Sequence, residues 1–309
     1  MNTLKGRDIL KAEQFTREDI DLICTIARDS ELALAKQKQL ELLRGFILAT
    51  LFFEPSTRTR LSFETAMLRL GGEVITVAEP MSSSVAKGES LYDTIKTVEN
   101  YADIIVLRHP KVGAAEEAAA AAEKPVINAG DGAGEHPTQA LLDIYTILKE
   151  KRKIDGLTIS LVGDLKNART AHSLAKVLSL YKVRLILVSP EVLQLPDDVK
   201  NWLKRKNIEY VEVTELSKAL PESDILYITR IQKERFEDQD LYEKYKNIYL
   251  LTADMITLFK RKVTIMHPLP RVTEISKDLD CYEGAAYFRQ VANGVPVRMA
   301  LLALVAGVV

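Results

Sequence analysis

Arginines and histidines recur at one kind of place in this chain: directly after a short apolar run. Ser56-Thr57-Arg58-Thr59-Arg60 follows the run 46–53, and Arg108-His109-Pro110 follows 103–107. His136-Pro137-Thr138-Gln139 closes the stretch after 125–128, and Arg169 lies in GDLKNART after 158–162. Arg230-Ile231-Gln232 follows 224–229, and His267-Pro268-Leu269-Pro270-Arg271 follows 263–266. Arginine offers a planar fork of donors that matches phosphate and carboxylate oxygens two at a time. Of the four histidines, three precede proline, a position pushed towards the extended geometry that suits a strand exit. Taken singly, a His-Pro pair is more often a turn and a lone arginine more often a surface cation. Taken together, Arg58, Arg108, Arg169 and Arg230 suit a small oxygen-rich ligand carrying more than one anionic group.

The first of these stretches breaks a local rule. Glu54-Pro55 ends the apolar run and Ser56 is a good N-cap; Phe63, Ala66, Met67 and Leu70 then recur at helical spacing until Gly71-Gly72. The macrodipole of such a helix disfavours cations in its first turn, yet Arg58 and Arg60 sit there. An anion seated on the free N–H groups would neutralise them. Equally, both arginines are ordinary solvated cations, and the segment by itself leaves the two readings open.

The runs that place these residues have strand length. Strands are expected at 46–53, 73–78, 103–107 and 125–128, and in a second series at 158–162, 183–188, 209–213, 224–229 and 263–266. Helical patterns lie between them, at 88–102, 137–152, 169–181 and 197–206, and the chain ends on one at 287–304. The alternation predicts α/β architecture: two domains, each a parallel β-sheet flanked by helices, with the active site in the cleft between them. Ligands in such sheets bind beyond the carboxyl ends of the strands, where the arginines fall. The junction is expected on the helix that starts at Pro137.

Composition narrows the partners. The chain has 309 residues, 47% hydrophobic and 28% charged, with 42 basic against 43 acidic side chains. No long basic tract favours nucleic acid, and no apolar stretch reaches membrane-spanning length. Cys24 and Cys281 stand far apart in no metal or redox spacing, and the charged N-terminal stretch lacks the apolar core of a signal peptide, which predicts a cytoplasmic protein. The fingerprints G-x-G-x-x-G after a first strand, G-x-x-x-x-G-K-[ST] and G-x-S-x-G are all missing, which weighs against hydride transfer, nucleotide hydrolysis and a serine nucleophile. No metal and no cofactor is expected.

FEPSTRTRLSFE, LRHP, AGDGAGEHPTQALLD, VGDLKNARTAHSLA, ITRIQKER and MHPLPR resemble, in family order from Phe53 to Arg271, the catalytic chains of the aspartate carbamoyltransferase family. The resemblance implies that the amine of L-aspartate attacks carbamoyl phosphate, giving N-carbamoyl-L-aspartate and phosphate, an early step of pyrimidine synthesis. It implies that Ser56, Thr57, Arg58 and Thr59 cradle the phosphate. Thr59, Arg108 and His136 would hold the carbonyl oxygen as it gains charge, and Gln139 would meet the carbamoyl amide. Arg169, Arg230 and Gln232 would clamp the two carboxylates of aspartate, while Leu269 and Pro270 lend backbone carbonyls to the nitrogens. The related ornithine enzymes share the STRTR cradle but carry H-C-L-P and an S-M-G element. Pro268 stands at the cysteine position here and no S-M-G occurs, so aspartate is the expected acceptor. A relative that kept the fold for a binding role is the alternative; the complete set of matched residues argues against it.

Three further expectations rest on the same resemblance. Residues 1–138, completed by 287–309, would form the carbamoyl-phosphate domain, and 139–286 the aspartate domain. The serine-rich loop 79–89 would reach the neighbouring subunit's site through Ser83 and Lys87, making a homotrimer with shared active sites. Many relatives also bind zinc-containing regulatory chains, a partner that the sequence neither requires nor excludes.

Overall fold

The computed structural model describes residues 3–38, 40–78, 87–236, 238–259 and 262–309. Two compact units emerge, one from residues 1–145 together with 292–309, the other from 146–291. Each is built on its own sheet.

In the first unit β1 (Ile47–Phe52), β2 (Glu73–Val77), β3 (Ile104–His109) and β4 (Val126–Asp131) form a parallel sheet of order β2-β1-β3-β4. The inner strands β1 and β3 are largely buried and mostly apolar, and β4 is buried throughout, whereas β2, at the opposite edge, exposes Ile75. Ala49, Leu51, Ile105 and Leu107 pack on one face with Ile95 of α3 (Leu91–Val98) and Ala118 of α4 (Ala114–Ala121). The chain enters through α1 (Arg17–Ala35), whose start is a capping box in which Thr16 and Asp19 bond each other's backbone. Ahead of it, Ile9 bridges β4, and Asp8 accepts a hydrogen bond from the Val126 amide at 2.8 Å.

In the second unit β5 (Thr158–Val162), β6 (Arg184–Val188), β7 (Glu209–Val213), β8 (Ile225–Ile228) and β9 (Thr264–Met266) form a parallel sheet of order β7-β6-β5-β8-β9. Its helices are α6 (Arg169–Leu178), α7 (Asp197–Arg205), α8 (Leu216–Ala219), α9 (Gln239–Tyr245) and α10 (Ala253–Phe259). Val162, Ile186, Leu226, Ile228 and Ile265 are at most 1% exposed and form one continuous core. Two helices run through the unit boundaries: α5 (Pro137–Lys151) and α11 (Tyr287–Ala306). The two parallel sheets predicted from the apolar runs are present, strand for strand. The ends differ in places. Arg108 and His109 belong to β3, where the register with β4 shifts between Leu107 and His109, and β4 runs on to Asp131.

Candidate active site

Strand order decides where a site can form. In the first unit the chain steps from β1 outward to β2, then crosses back to β3 and on to β4, so the order reverses between β1 and β3. Crevices at the carboxyl ends of strands open where the order reverses. The exit of β1 leads into α2 (Thr57–Arg69), and the exit of β3 carries Arg108. In the second unit the reversal falls between β5 and β8, whose exits carry Arg169 and Arg230. The predicted arginines therefore occupy the reversal point of each sheet.

The start of α2 is built for an anion. Ser56 is the N-cap in extended geometry, but its hydroxyl accepts no capping bond, and no acidic residue lies in the first turn. The helix thus presents its positive end uncompensated, with cations added. Arg60 finds a remote partner, its Nε 3.8 Å from Glu64 Oε1, too far for a hydrogen bond. Glu64 is itself held by the hydroxyls of Thr50 and Thr76, at 3.2 and 2.9 Å. Arg58 is exposed at the surface, yet partial loss of hydration pushes its pKa below the ordinary arginine value; it stays charged at neutral pH. Thr59 is buried at 6% exposure, and its hydroxyl lies 3.5 Å from His136 Nε2.

Arg108 is steered by both neighbouring strands' exits. One terminal nitrogen donates to the Ala129 carbonyl at 3.3 Å and the other lies 3.4 Å from Glu54. His136 reaches its place through a loop organised by Asp131. That carboxylate accepts from the amides of Glu135 at 2.8 Å and Gly113 at 2.9 Å. Gln139, in the first turn of α5, donates to Asp143 at 2.9 Å, which fixes its side-chain amide. Ser56, Thr57, Arg58, Thr59, Arg108, His136 and Gln139 thus gather at the neighbouring exits of β1, β3 and β4.

The second unit brings Arg169, Arg230, Gln232, Leu269 and Pro270 to the adjacent exits of β5, β8 and β9. Gly163 allows this convergence: its φ is +118°, and a Cβ there would meet the Thr229 carbonyl at 2.1 Å. Asp164, fully buried, accepts from Asn167 and from the Gln232 amide at 3.4 Å, joining the β5 and β8 exits. Burial raises its pKa against the lowering effect of those hydrogen bonds. Arg230 is forked onto Glu234, with one bond of 3.0 Å. Leu269 has φ of +55° and is followed by a cis peptide to Pro270. His267 holds this turn: its Nδ1 accepts from the Leu269 amide at 2.7 Å, so Nε2 carries the proton and donates to Glu274 at 2.7 Å. Glu274 also accepts from the amides of Val272 and Thr273. Burial opposes its ionisation, but these bonds win and its pKa lies below the ordinary value.

A family profile described as the carbamoyl-P binding domain of aspartate/ornithine carbamoyltransferase matches residues 7–149, and its Asp/Orn binding domain matches 155–305. The chain belongs to the aspartate/ornithine carbamoyltransferase family. The aspartate carbamoyltransferase catalytic subunit of Thermococcus gammatolerans is 54% identical over 98% of both chains. A chloroplastic aspartate carbamoyltransferase of Arabidopsis thaliana is 52% identical over 96% of this chain and 77% of its own. Among solved structures, aspartate transcarbamoylase from Trypanosoma cruzi in complex with carbamoyl phosphate and aspartate superposes with a TM-score of 0.94, at 44% identity over 98% of both chains. The catalytic subunit from M. Jannaschii gives 0.89 at 52% identity, covering 96% of this chain and 97% of that one.

Of the two residues expected to reach a neighbouring subunit, Ser83 lies outside the described residues, while Lys87 is exposed. Among the described residues no group of His, Cys, Asp or Glu gathers that would hold a metal ion. The structure adds residues that the strand-exit pattern passes over: Glu54 beside Arg108, Asp164 between two exits, and the pair His267–Glu274. Glu54 and Glu274 carried a signal, each being an acid placed among arginines near a strand exit.

Proposed function

We infer that this chain transfers the carbamoyl group of carbamoyl phosphate to the amine of L-aspartate, an early step of pyrimidine biosynthesis. The observation that carries the reading is the uncapped, cation-bearing start of α2 beside Arg108 and His136: a phosphate seat with oxyanion donors at its side. Ser56, Thr57, Arg58 and Thr59 receive the phosphate. Arg108 bridges phosphate and carbonyl oxygens; Thr59 and His136 support the carbonyl oxygen as it becomes an alkoxide, while Gln139 meets the carbamoyl amide. Preorganised donors of this kind stabilise a tetrahedral intermediate without moving at the moment of reaction. The second unit holds aspartate: Arg169, Arg230 and Gln232 take its carboxylates, and the carbonyls of Leu269 and Pro270 orient the nitrogens. The substrates themselves bring nucleophile and leaving group, so positioning and charge stabilisation suffice, and the departing phosphate accepts the proton of the amine.

The loop resemblance supports a homotrimer in which Ser83 and Lys87 serve the neighbour's site. Free Cys24 and Cys281 suit a reducing cytoplasm. Purified protein given carbamoyl phosphate should release phosphate with L-aspartate and not with L-ornithine. Equal or faster release with ornithine would overturn the choice of acceptor.

A further inference from the structure

Helix α11 is apolar around Val297 to Val305, yet it carries one arginine at its centre. Arg298 is 3% exposed. A cation is costly at such a depth unless it holds partners. Its partners lie on two helices that carry proposed substrate residues. One terminal nitrogen donates to Ser62 Oγ at 2.6 Å, and the guanidinium lies over the Phe63 ring at 4.8 Å, both on α2. The charge of Asp143, on α5, also attracts it. Burial pushes its pKa down to about 9 against that attraction, so it remains a cation at neutral pH. The seat is shaped for it: a Cβ at Gly294, one turn earlier, would meet the guanidinium at 2.7 Å.

We propose that Arg298 is a positioning residue for the carbamoyl-phosphate site, holding the first turn of α2 in place through one buried fork. The link to α2 is directional. Ser62 accepts from Arg298, so its single proton is left for the carbonyls of Arg58 at 2.7 Å and Thr59 at 3.0 Å. Those carbonyls belong to the two residues that the site reading places on phosphate and alkoxide. Asp143, whose charge also attracts the fork, accepts from the Gln139 amide at 2.9 Å. Displacement of this one fork therefore disturbs the turn that carries Arg58 and Thr59. The inference rests on the site reading given above.

Removing a buried cation is destabilising, because the charge of Asp143 that attracts it is left uncompensated. Arg298→Met should therefore lower the melting temperature, and phosphate binding is read on the folded protein well below its transition. Its KM for carbamoyl phosphate and its Kd for inorganic phosphate should rise about tenfold or more, since misplacing a positioned group by a fraction of an ångström is felt strongly. The KM for aspartate should move far less. Gly294→Ala keeps the charge but pushes the fork off Ser62, so it should weaken phosphate binding in the wild-type chain. In an Arg298→Met background the added methyl has no fork to displace, and its effect should vanish, the non-additivity expected of a direct contact. Folded Arg298→Met or Gly294→Ala protein that binds inorganic phosphate as the wild type does would overturn the proposal. Arg58→Ala run alongside separates the two failures: if it too binds phosphate normally, the site reading falls, and otherwise only the positioning role does. Should Arg298→Met fail to fold, Gly294→Ala alone decides.

Discussion

Removing Arg58 should move stability and catalysis in opposite directions. Without ligand, α2 begins with no side-chain cap, no acidic residue in its first turn and two cations against its dipole. A misplaced charge of this kind costs about 0.3–1 kcal/mol at a surface helix end. Alanine is at least as good a helix former, so Arg58→Ala should stabilise the ligand-free chain by roughly 0.5 kcal/mol. That corresponds to a rise in Tm of about 1–2 °C for a unit of this size. The same change removes a donor from the departing phosphate and should lower kcat on the order of 10²–10³, or about 2.7–4 kcal/mol in the transition state. Ligand linkage gives a third reading. Inorganic phosphate at about a hundred times its Kd stabilises the wild type by about 2.7 kcal/mol, and most of that gain should disappear in the variant. Calorimetry with and without phosphate, beside initial rates of phosphate release, measures all three. A ligand-free loss above about 1 kcal/mol would make Arg58 a structural residue and refute the dipole reasoning. Near-normal turnover would return it to the solvated surface.

Glu274→Gln removes the charged acceptor of His267 and should raise the KM for aspartate about tenfold, the scale of a charge-assisted hydrogen bond, while the KM for carbamoyl phosphate holds. In the wild type the depressed Glu274 pKa contributes stability that is complete above its ordinary value of 4.5 and is lost as pH falls through the lower folded value. Urea melts of the Gln variant should lack that acid step; an unaltered step would point to another carboxylate. Asp280, held to about 2 chiefly by its hydrogen bond from Arg271 and then by Tyr287, should contribute about 1 kcal/mol after solvent screening, lost between pH 3.8 and about 2 and absent in Asp280→Asn. Arg58→Ala and Lys87→Ala chains, each nearly inactive, should recover about a quarter of the sites when dissociated, mixed equally and reassembled as cyclic trimers. Confirmed exchange without recovery would confine Lys87 to its own chain's site or to none.

The strands were legible because inner strands of parallel sheets are buried on both faces and read as unbroken apolar runs. The arginines were legible because strand exits carry function, and Arg58, Arg108, Arg169 and Arg230 break the apolar rhythm exactly there. What escaped depends on depth and on contacts remote in sequence. Helix α1 was passed over although Thr16 and Asp19 spell its capping box, because no strand precedes it to set the α/β rhythm. Arg108 and His109 read as loop because a polar pair ends an apolar run, whereas pairing to β1 and β4 keeps them in β3. Arg298 counts in the pattern as one polar position on an amphipathic helix. Only Ser62, over two hundred residues away, shows that it points inward.

The first unit is discontinuous in sequence, and that fact matters while the chain is being made. Its sheet is complete by Asp131, but the helix segment that supplies Arg298 is specified only after residue 292. At ordinary synthesis rates roughly 150 residues separate the two events, on the order of 10–30 s. Throughout that interval the nascent unit has the first turn of α2 but lacks the Arg298 fork beneath it, and the apolar surface meant for α11 stays open. The second unit, encoded without interruption, emerges and can fold in the meantime. A chain cut short before residue 292 would then carry the strand-exit residues Arg58, Arg108, His136, Arg169 and Arg230 and still lack the helix segment that packs Arg298 on α2.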